Sequence, residues 1–239
     1  MPSIEDHQRI ERLERRVKAL PKGLQSHIYR VGDIAEDLAD VHDIDPTKAR
    51  IGMLAHDLAR SMSNDELLSL AQSFNLRIDP IEKQLPILLH GPVGAELLHR
   101  EEGIEDTGLY EAVCWHTTGN ASMDSFAKLV FLADKLDPQK SARYPYQQTL
   151  LELAQSDLDC AMLEFLTREL ISLAKQGLMV HPDMLATRNF LIKSKRKLIS
   201  FSGLFQLSVE KVYNVKYLIF FLIEVLIATS TVFKPLKWP

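Results

Sequence analysis

The chain has 239 residues, 46% hydrophobic and 25% charged, with a net charge of −4; this balance excludes wholesale disorder and suits one sizeable domain with or without an appendage. The charge is uneven, because the residues from Lys193 onward carry +6 and the first 192 carry −10, which argues against general nucleic-acid binding by an acidic body. Only Cys114 and Cys160 occur, without C-x-x-C spacing, and the N-terminus Met1-Pro-Ser-Ile-Glu-Asp6 is polar; this argues against a disulfide framework and a thiolate zinc site, no secretory signal is visible, and a cytoplasmic setting is expected.

The first segment spaces Ile10, Leu13, Val17 and Leu20 as one helical face and stops near Pro21 and Gly23, predicting a charged N-terminal helix over residues 1–20. A second amphipathic helix follows, with Leu24, His27, Ile28, Val31, Ile34, Ala35 and Leu38 on one side. His27 lies on that apolar side. Asp45-Pro46 reads as an N-cap with a first-turn proline, and the helix it starts carries Ile51, Leu54, Ala55 and Leu58 and ends near His56-Asp57.

Ser63 to Glu66 is a capping box and opens a helix through Phe74. The stretch around Asp79-Pro80 and Pro86 is expected to be irregular, and Gly91-Pro92 places His90 immediately before a new helix. Thr107 to Trp115 predicts a short helix leading into His116-Thr-Thr-Gly119. Ser125 to Leu136 is apolar almost all round and is expected to be a central helix, interrupted by Asp134. Asp157 to Gln176 is a long amphipathic helix closed by Gly177, and Pro182 starts one more. No strand alternation, repeat or low-complexity tract appears, so the predicted class is all-α.

His27, His56, Asp57, His90, His116 and Asp134 each adjoin apolar helical sequence. Any one such histidine is ordinarily a hydrogen-bonded core residue; four with two acids are harder to explain in that way. Imidazole and carboxylate suit zinc, iron or manganese. Six nitrogen and oxygen donors are too many for one catalytic ion that keeps a position open, and suit two divalent metal ions with one bridging carboxylate. Two such ions make a net positive pocket, fitted to an anionic phosphate ester. Arg60, three residues after Asp57, is expected to share its helical face and grip phosphate oxygens. His7, His42, His99 and His181 read as solvated, Cys114 as core rather than nucleophile, and Glu101-Glu102 as a solvated face.

The order H…H-D…H…H…D is similar to the HD-domain superfamily of metal-dependent phosphohydrolases. Leu88-Leu-His-Gly-Pro-Val-Gly-Ala95, His116-Thr-Thr-Gly119, Leu132-Ala-Asp-Lys-Leu-Asp-Pro138 and His181-Pro-Asp183 with Ala186-Thr-Arg-Asn189 resemble the YqeK family of symmetrical diadenosine tetraphosphate hydrolases, described as iron-dependent and releasing two ADP. The resemblance runs from about Leu20 to Leu191; the bare H-D pair is weakly specific, and the longer words are strongly so. It implies an HD-domain helical bundle over residues 21–192. Its metal ligands would be His27, His56, Asp57 and Asp134 for one ion, with Asp57 bridging to a second held by His90 and His116. Iron is the implied metal, with manganese or zinc as substitutes. It implies a dinucleoside polyphosphate substrate cleaved by metal-hydroxide attack, with Asp57 and Arg60 catalytic. His27, Arg60, Thr117, Thr118, Lys135 and Arg143 would lie at the substrate. Two departures stand out: many relatives have lysine where Arg60 stands, and Gln139 to Tyr146 differs from the commoner wording, leaving Lys140 and Arg143 as alternatives for the phosphate contact. Hydrolysis of other nucleotides or phosphate esters, and a metal-bound nucleotide sensor, are the competing functions.

After Ile192 the composition changes to a basic cluster, Lys193 to Lys197, and then the apolar run Tyr217 to Phe233. As a helix this run is about 26 Å long, just short of a bilayer's hydrocarbon core, with Glu224 adding an insertion penalty. Residues 193–239 are therefore expected to form an apolar helical appendage that contacts a membrane or a partner helix; a homodimer is the other expected assembly.

Overall fold

A computed structural model describes the backbone of residues 3–201 and side chains through 195. The chain divides into two units, Met1–Ile192 and Lys193–Pro239; the first is described below. Among the described residues no helix is long and apolar enough to cross a membrane, and the Tyr217–Phe233 run lies outside them.

All regular structure among the described residues is helical, as the sequence pattern predicts. Helix α1 (Ile4–Lys18) starts at a Ser3–Asp6 capping box and buries Leu13 and Val17. Helix α2 (Lys22–Val41) turns His27, Ile28, Val31, Ala35 and Leu38 inward. Helix α3 (Pro46–His56) begins on the Asp45 cap, with a proline in its first turn, and is buried along nearly its whole length. Helix α4 (Asn64–Ser73) is capped by Ser63 and Glu66.

The region around Asp79-Pro80 is more regular than expected. Asp79 and Glu82 form a third capping box that supports the short helix α5 (Pro80–Gln84), and a 3-10 turn over Pro86–Leu89 follows. Three cap bonds plus a proline-fixed φ suffice for one turn even without a long apolar face.

Helices α6 (His90–Glu102) and α7 (Thr107–Trp115) form an antiparallel pair. Helix α8 (Ser125–Lys135) buries every residue from Leu129 to Lys135 and packs on α2, α3 and α7. Helix α9 (Gln147–Ser156) occupies a stretch that the apolar pattern leaves unassigned, and α10 (Leu158–Lys175) packs on α8 and α9. Helix α11 (Pro182–Phe201) runs past residue 192 without a break. At the centre sits Phe131, fully buried and edge-on to Phe165 with ring centroids 5.5 Å apart; its burial stabilises the fold by about 2–3 kcal/mol.

Three side chains expected to be solvated are not. His181 is 7% exposed beside the equally buried Glu82, because α5 closes over the start of α11. His42 is half-buried and bonds the Ala154 carbonyl. Glu102 tucks under α1, where Arg12 and Arg16 hold it at 3.3 and 3.1 Å, whereas Glu101 stays exposed. Cys114 is core as expected, its thiol pushed up to about 12 by burial.

Candidate metal centre

The six predicted ligands come from five helices and meet at one end of the core. His27 sits on the second turn of α2. His56 is the last residue of α3, and Asp57 is its C-cap; His90 opens α6, His116 follows the last residue of α7, and Asp134 lies in the last turn of α8. Three helix C-termini therefore converge, and their partial negative charges favour a cation between them.

The helix ends also explain the orientation of the rings. A helix leaves its last carbonyls without intrahelical partners. The Nδ1 atoms of His56 and His116 each lie 2.7 Å from the carbonyl three residues back, at Met53 and Val113. In the same way His90 Nδ1 bonds the Ile87 carbonyl in the 3-10 turn. A carbonyl only accepts, so Nδ1 carries the proton in all three, and each Nε2 presents its lone pair to the cluster. The rings pack edge to face, with centroids 5.6 Å apart for His27–His56, 5.1 Å for His56–His116 and 4.8 Å for His90–His116.

Asp57 divides these nitrogens into two sets. Its Oδ1 lies 3.1 and 3.5 Å from Nε2 of His90 and His116, while Oδ2 lies 3.8 and 3.5 Å from Nε2 of His27 and His56. Two ligand-sized groups result, His27–His56–Asp57 and Asp57–His90–His116. Asp134 joins the first, with Oδ1 3.0 Å from His27 Nε2 and 3.8 Å from His56 Nε2.

These residues fit divalent metal ions on two counts. The buried His56 Nε2 has no hydrogen-bond partner, a costly condition for a polar atom unless something binds it. The Nε2 atoms of His90 and His116 face each other at 3.0 Å with both Nδ1 protons committed elsewhere, which is an arrangement for a shared electrophile rather than for a hydrogen bond.

Burial and charge set the protonation states. Burial pushes His56 down to about 4 and lowers His116 as well, so both are neutral at pH 7. Burial opposes ionisation of Asp57, but at the acid pH where it would take up a proton the charge His56 then carries helps hold the carboxyl well below the usual range. Asp134 is likewise held low against its burial by Lys135 and Lys140.

The predicted substrate contacts separate in space. Thr117 Oγ1 lies 3.2 Å from Nε2 of both His90 and His116, whereas the buried Thr118 hydroxyl donates to the Gly119 carbonyl at 3.3 Å. Lys135 is buried, with Nζ 2.6 Å from Asp134 Oδ2, 2.9 Å from the His116 carbonyl and 4.6 Å over the Phe131 ring. It ties α7 to α8. Arg143 faces away, paired with Glu169 at 2.9 Å and stacked on Tyr144. Of Lys140 and Arg143, it is Lys140 that reaches the cluster, bonding the Asp134 carboxylate and its carbonyl at 2.5 and 3.0 Å with part of its length exposed. Arg60 is exposed and does not share a helical face with Asp57: α3 stops at His56, and Arg60 lies in the turn that follows, its N–H 3.0 Å from the Asp57 carbonyl.

Sequence reasoning missed Asp137 and Arg30. Asp137 is 2% exposed and accepts from His27 Nδ1 at 2.6 Å and from Arg30 Nε and Nη2 at 2.9 and 2.8 Å. Arg30 and Gln139 help hold its carboxyl down at about 2 against burial. The available signal was the three-residue spacing of His27 and Arg30 on one helix. Asp137-Pro138 by itself looks like the capping pairs Asp45-Pro46 and Asp79-Pro80, and it does cap the next turn through Gln139 N–H.

The close crossing of α6 and α7 depends on Gly91. A Cβ there would lie 2.7 Å from the Cys114 carbonyl oxygen and 3.2 Å from that of Val113, and backbone cannot move aside as a side chain tip does. Gly91→Ala is therefore expected to cost about 1–3 kcal/mol of stability in a urea melt. By spreading His90 from His116 it should also lower activity roughly 100-fold. Wild-type values on both measures would mean that the helix pair tolerates a wider crossing.

Residues 24–139 match the HD domain model. A Halalkalibacterium halodurans protein named symmetrical bis(5'-nucleosyl)-tetraphosphatase is 32% identical over 170 residues, 71% of this chain and 89% of the relative. A Bacillus subtilis protein of the same name is 29% identical, covering 70% of this chain and 88% of the relative. Among solved structures, a Clostridium acetobutylicum protein described as a predicted HD superfamily hydrolase involved in NAD metabolism aligns with a TM-score of 0.73 at 25% identity, over 77% of this chain and 97% of that one. The chain belongs to the HD-domain superfamily of hydrolases, in its YqeK branch.

Proposed function

We propose that this enzyme hydrolyses diadenosine tetraphosphate symmetrically to two ADP, using two divalent ions. The observation that carries the two-ion reading is the division of Asp57, each carboxylate oxygen turned to a different pair of imidazole Nε2 atoms. His27, His56, Asp57 and Asp134 would hold one ion, and Asp57, His90 and His116 the other; iron is the favoured metal. The substrate reading is supported by the relatives that bear the tetraphosphatase name.

When bound, the ions supply an activated water and a Lewis acid for the phosphoryl group. The chain's own residues do the rest. Asp57, Asp134 and Asp137 are offset by Lys135, Lys140 and Arg30, so the cluster is near neutral by itself and strongly positive once divalent ions enter. That charge selects a polyphosphate. Lys140 is the phosphate grip in this reading and Arg143 is not, because Lys140 stands at the Asp134 side of the cluster whereas Arg143 is held by Glu169 outside it. Lys135 acts from beneath, fixing His116 and Asp134. The Thr117 hydroxyl, beside His90 and His116, orients a phosphoryl oxygen or the water, and the exposed Arg60 takes the outer phosphates.

The test is chromatography of the products formed from diadenosine tetraphosphate with iron or manganese added. Two ADP is the expected result. ATP plus AMP would contradict symmetrical cleavage, and no reaction would favour another phosphate ester or a sensing role.

A further inference from the structure

The four histidines of the cluster are not backed alike. His56, His90 and His116 turn Nδ1 to main-chain carbonyls, whereas His27 turns Nδ1 to the carboxylate of Asp137 at 2.6 Å. That carboxylate is fixed from several directions. Arg30 holds both its oxygens in a fork, and the Gln139 N–H bonds Oδ1 at 3.0 Å. Gln147 Nε2 bridges the main-chain carbonyls of Lys135 and Asp137, 2.8 Å from each, so the turn that carries Asp137 is pinned to the end of α8. His27 and Arg30 lie three residues apart on α2, and both reach across to the same side chain.

We infer that Arg30 and Asp137 are a positioning pair that makes the two cation positions unequal, the one containing His27 tight and filled first, the one made by Asp57, His90 and His116 weak and exchangeable. A carboxylate behind a ligating imidazole fixes its tautomer and ring angle and strengthens its donor nitrogen, and losing such a partner typically weakens metal affinity about 10- to 100-fold. The donor sets act in the same direction. The His27 side has Asp134 in addition to Asp57, while the His90–His116 side shares Asp57 and adds only the neutral Thr117 hydroxyl. Arg30 acts one step further out: its bidentate fork holds the Asp137 carboxylate aimed at His27.

This inference rests on the two-ion reading of the site, and a manganese titration of chelator-stripped protein separates their failures. By calorimetry, with bound metal counted by elemental analysis, wild type is expected to bind two ions in two steps of different affinity. Asp137→Asn is expected to weaken the tight step about 10- to 100-fold and to leave the weak step close to wild type. Arg30→Met should weaken the tight step by a smaller factor, and Arg30→Lys, which keeps the charge but not the fork, should recover only part of it. Melting of the stripped variants reports folding separately: a purely structural pair would lower the melting temperature and leave the tight step of the folded protein unchanged, overturning the inference. Two equal sites in wild type would also overturn it. If Asp137→Asn does not fold, the Arg30 variants decide, and wild-type affinity in both overturns it. A wild type that binds no ion removes the two-ion reading itself; a wild type that binds two, with every variant unchanged, removes only the role of Arg30 and Asp137.

Discussion

Asp57→Asn is expected to reduce bound metal from two ions to one or none and to lower the hydrolysis rate by roughly 10³-fold or more, several kcal/mol of lost transition-state stabilisation. The reason is geometric. Asp57 alone belongs to both ligand groups, and its oxygens are divided between His90–His116 and His27–His56. Asparagine keeps the shape and removes the charge, so neither position retains its shared anion. Helical content by circular dichroism should stay near wild type, since Asp57 caps a helix whose apolar side is otherwise intact. Metal counting and single-turnover kinetics check this together. A variant that kept two ions and wild-type turnover would place the catalytic centre elsewhere.

The second large effect is acid sensitivity of the metal-stripped protein. His56 is pushed down to about 4 from an ordinary 6.5 by its burial. Below pH 6.5 the unfolded chain takes up a proton that the folded chain refuses until about pH 4. Stability is therefore full above 6.5 and falls as pH drops toward 4, by about 3 kcal/mol in all, a large part of a typical domain's 5–15 kcal/mol. Asp137, held at about 2 against an ordinary 3.8, loses its contribution in a lower window, between 3.8 and 2. Urea melts of stripped protein at pH 7.5, 6, 5 and 4 measure the first loss, and His56→Gln should flatten it. Added manganese should raise stability most at the upper end of this range, because protons compete with the metal for the same ring nitrogens. A stability curve flat from pH 7 to 4 would mean that His56 protonates freely in the folded state.

Much of this protein can be read from the sequence because its signals are local. Capping pairs and proline positions set where α1, α3 and α4 begin, and a helix apolar on every side, α8, had to be central. The six ligands stood out as polar residues inside apolar runs, a pattern that needs no knowledge of what they face. What remained hidden depends on who meets whom across the fold. Asp137 carries the local signature of a cap, and only the approach of α2 to the end of α8 makes it the partner of His27. His181 looks solvated until α5 brings Glu82 over the start of α11. Arg60 drops out of register with Asp57 because α3 ends at His56, before either residue, and the chain turns from there. Lys140 and Arg143 are equivalent on the page and differ only because Glu169, on α10, takes the arginine. The sequence by itself determined the helical class, the helix starts and the inventory of metal-capable side chains, since periodicity and caps act within a few residues. The tertiary structure alone decided which carboxylate backs His27, how Asp57 divides its oxygens and which cations stand at the site, since those depend on contacts between residues up to about a hundred positions apart.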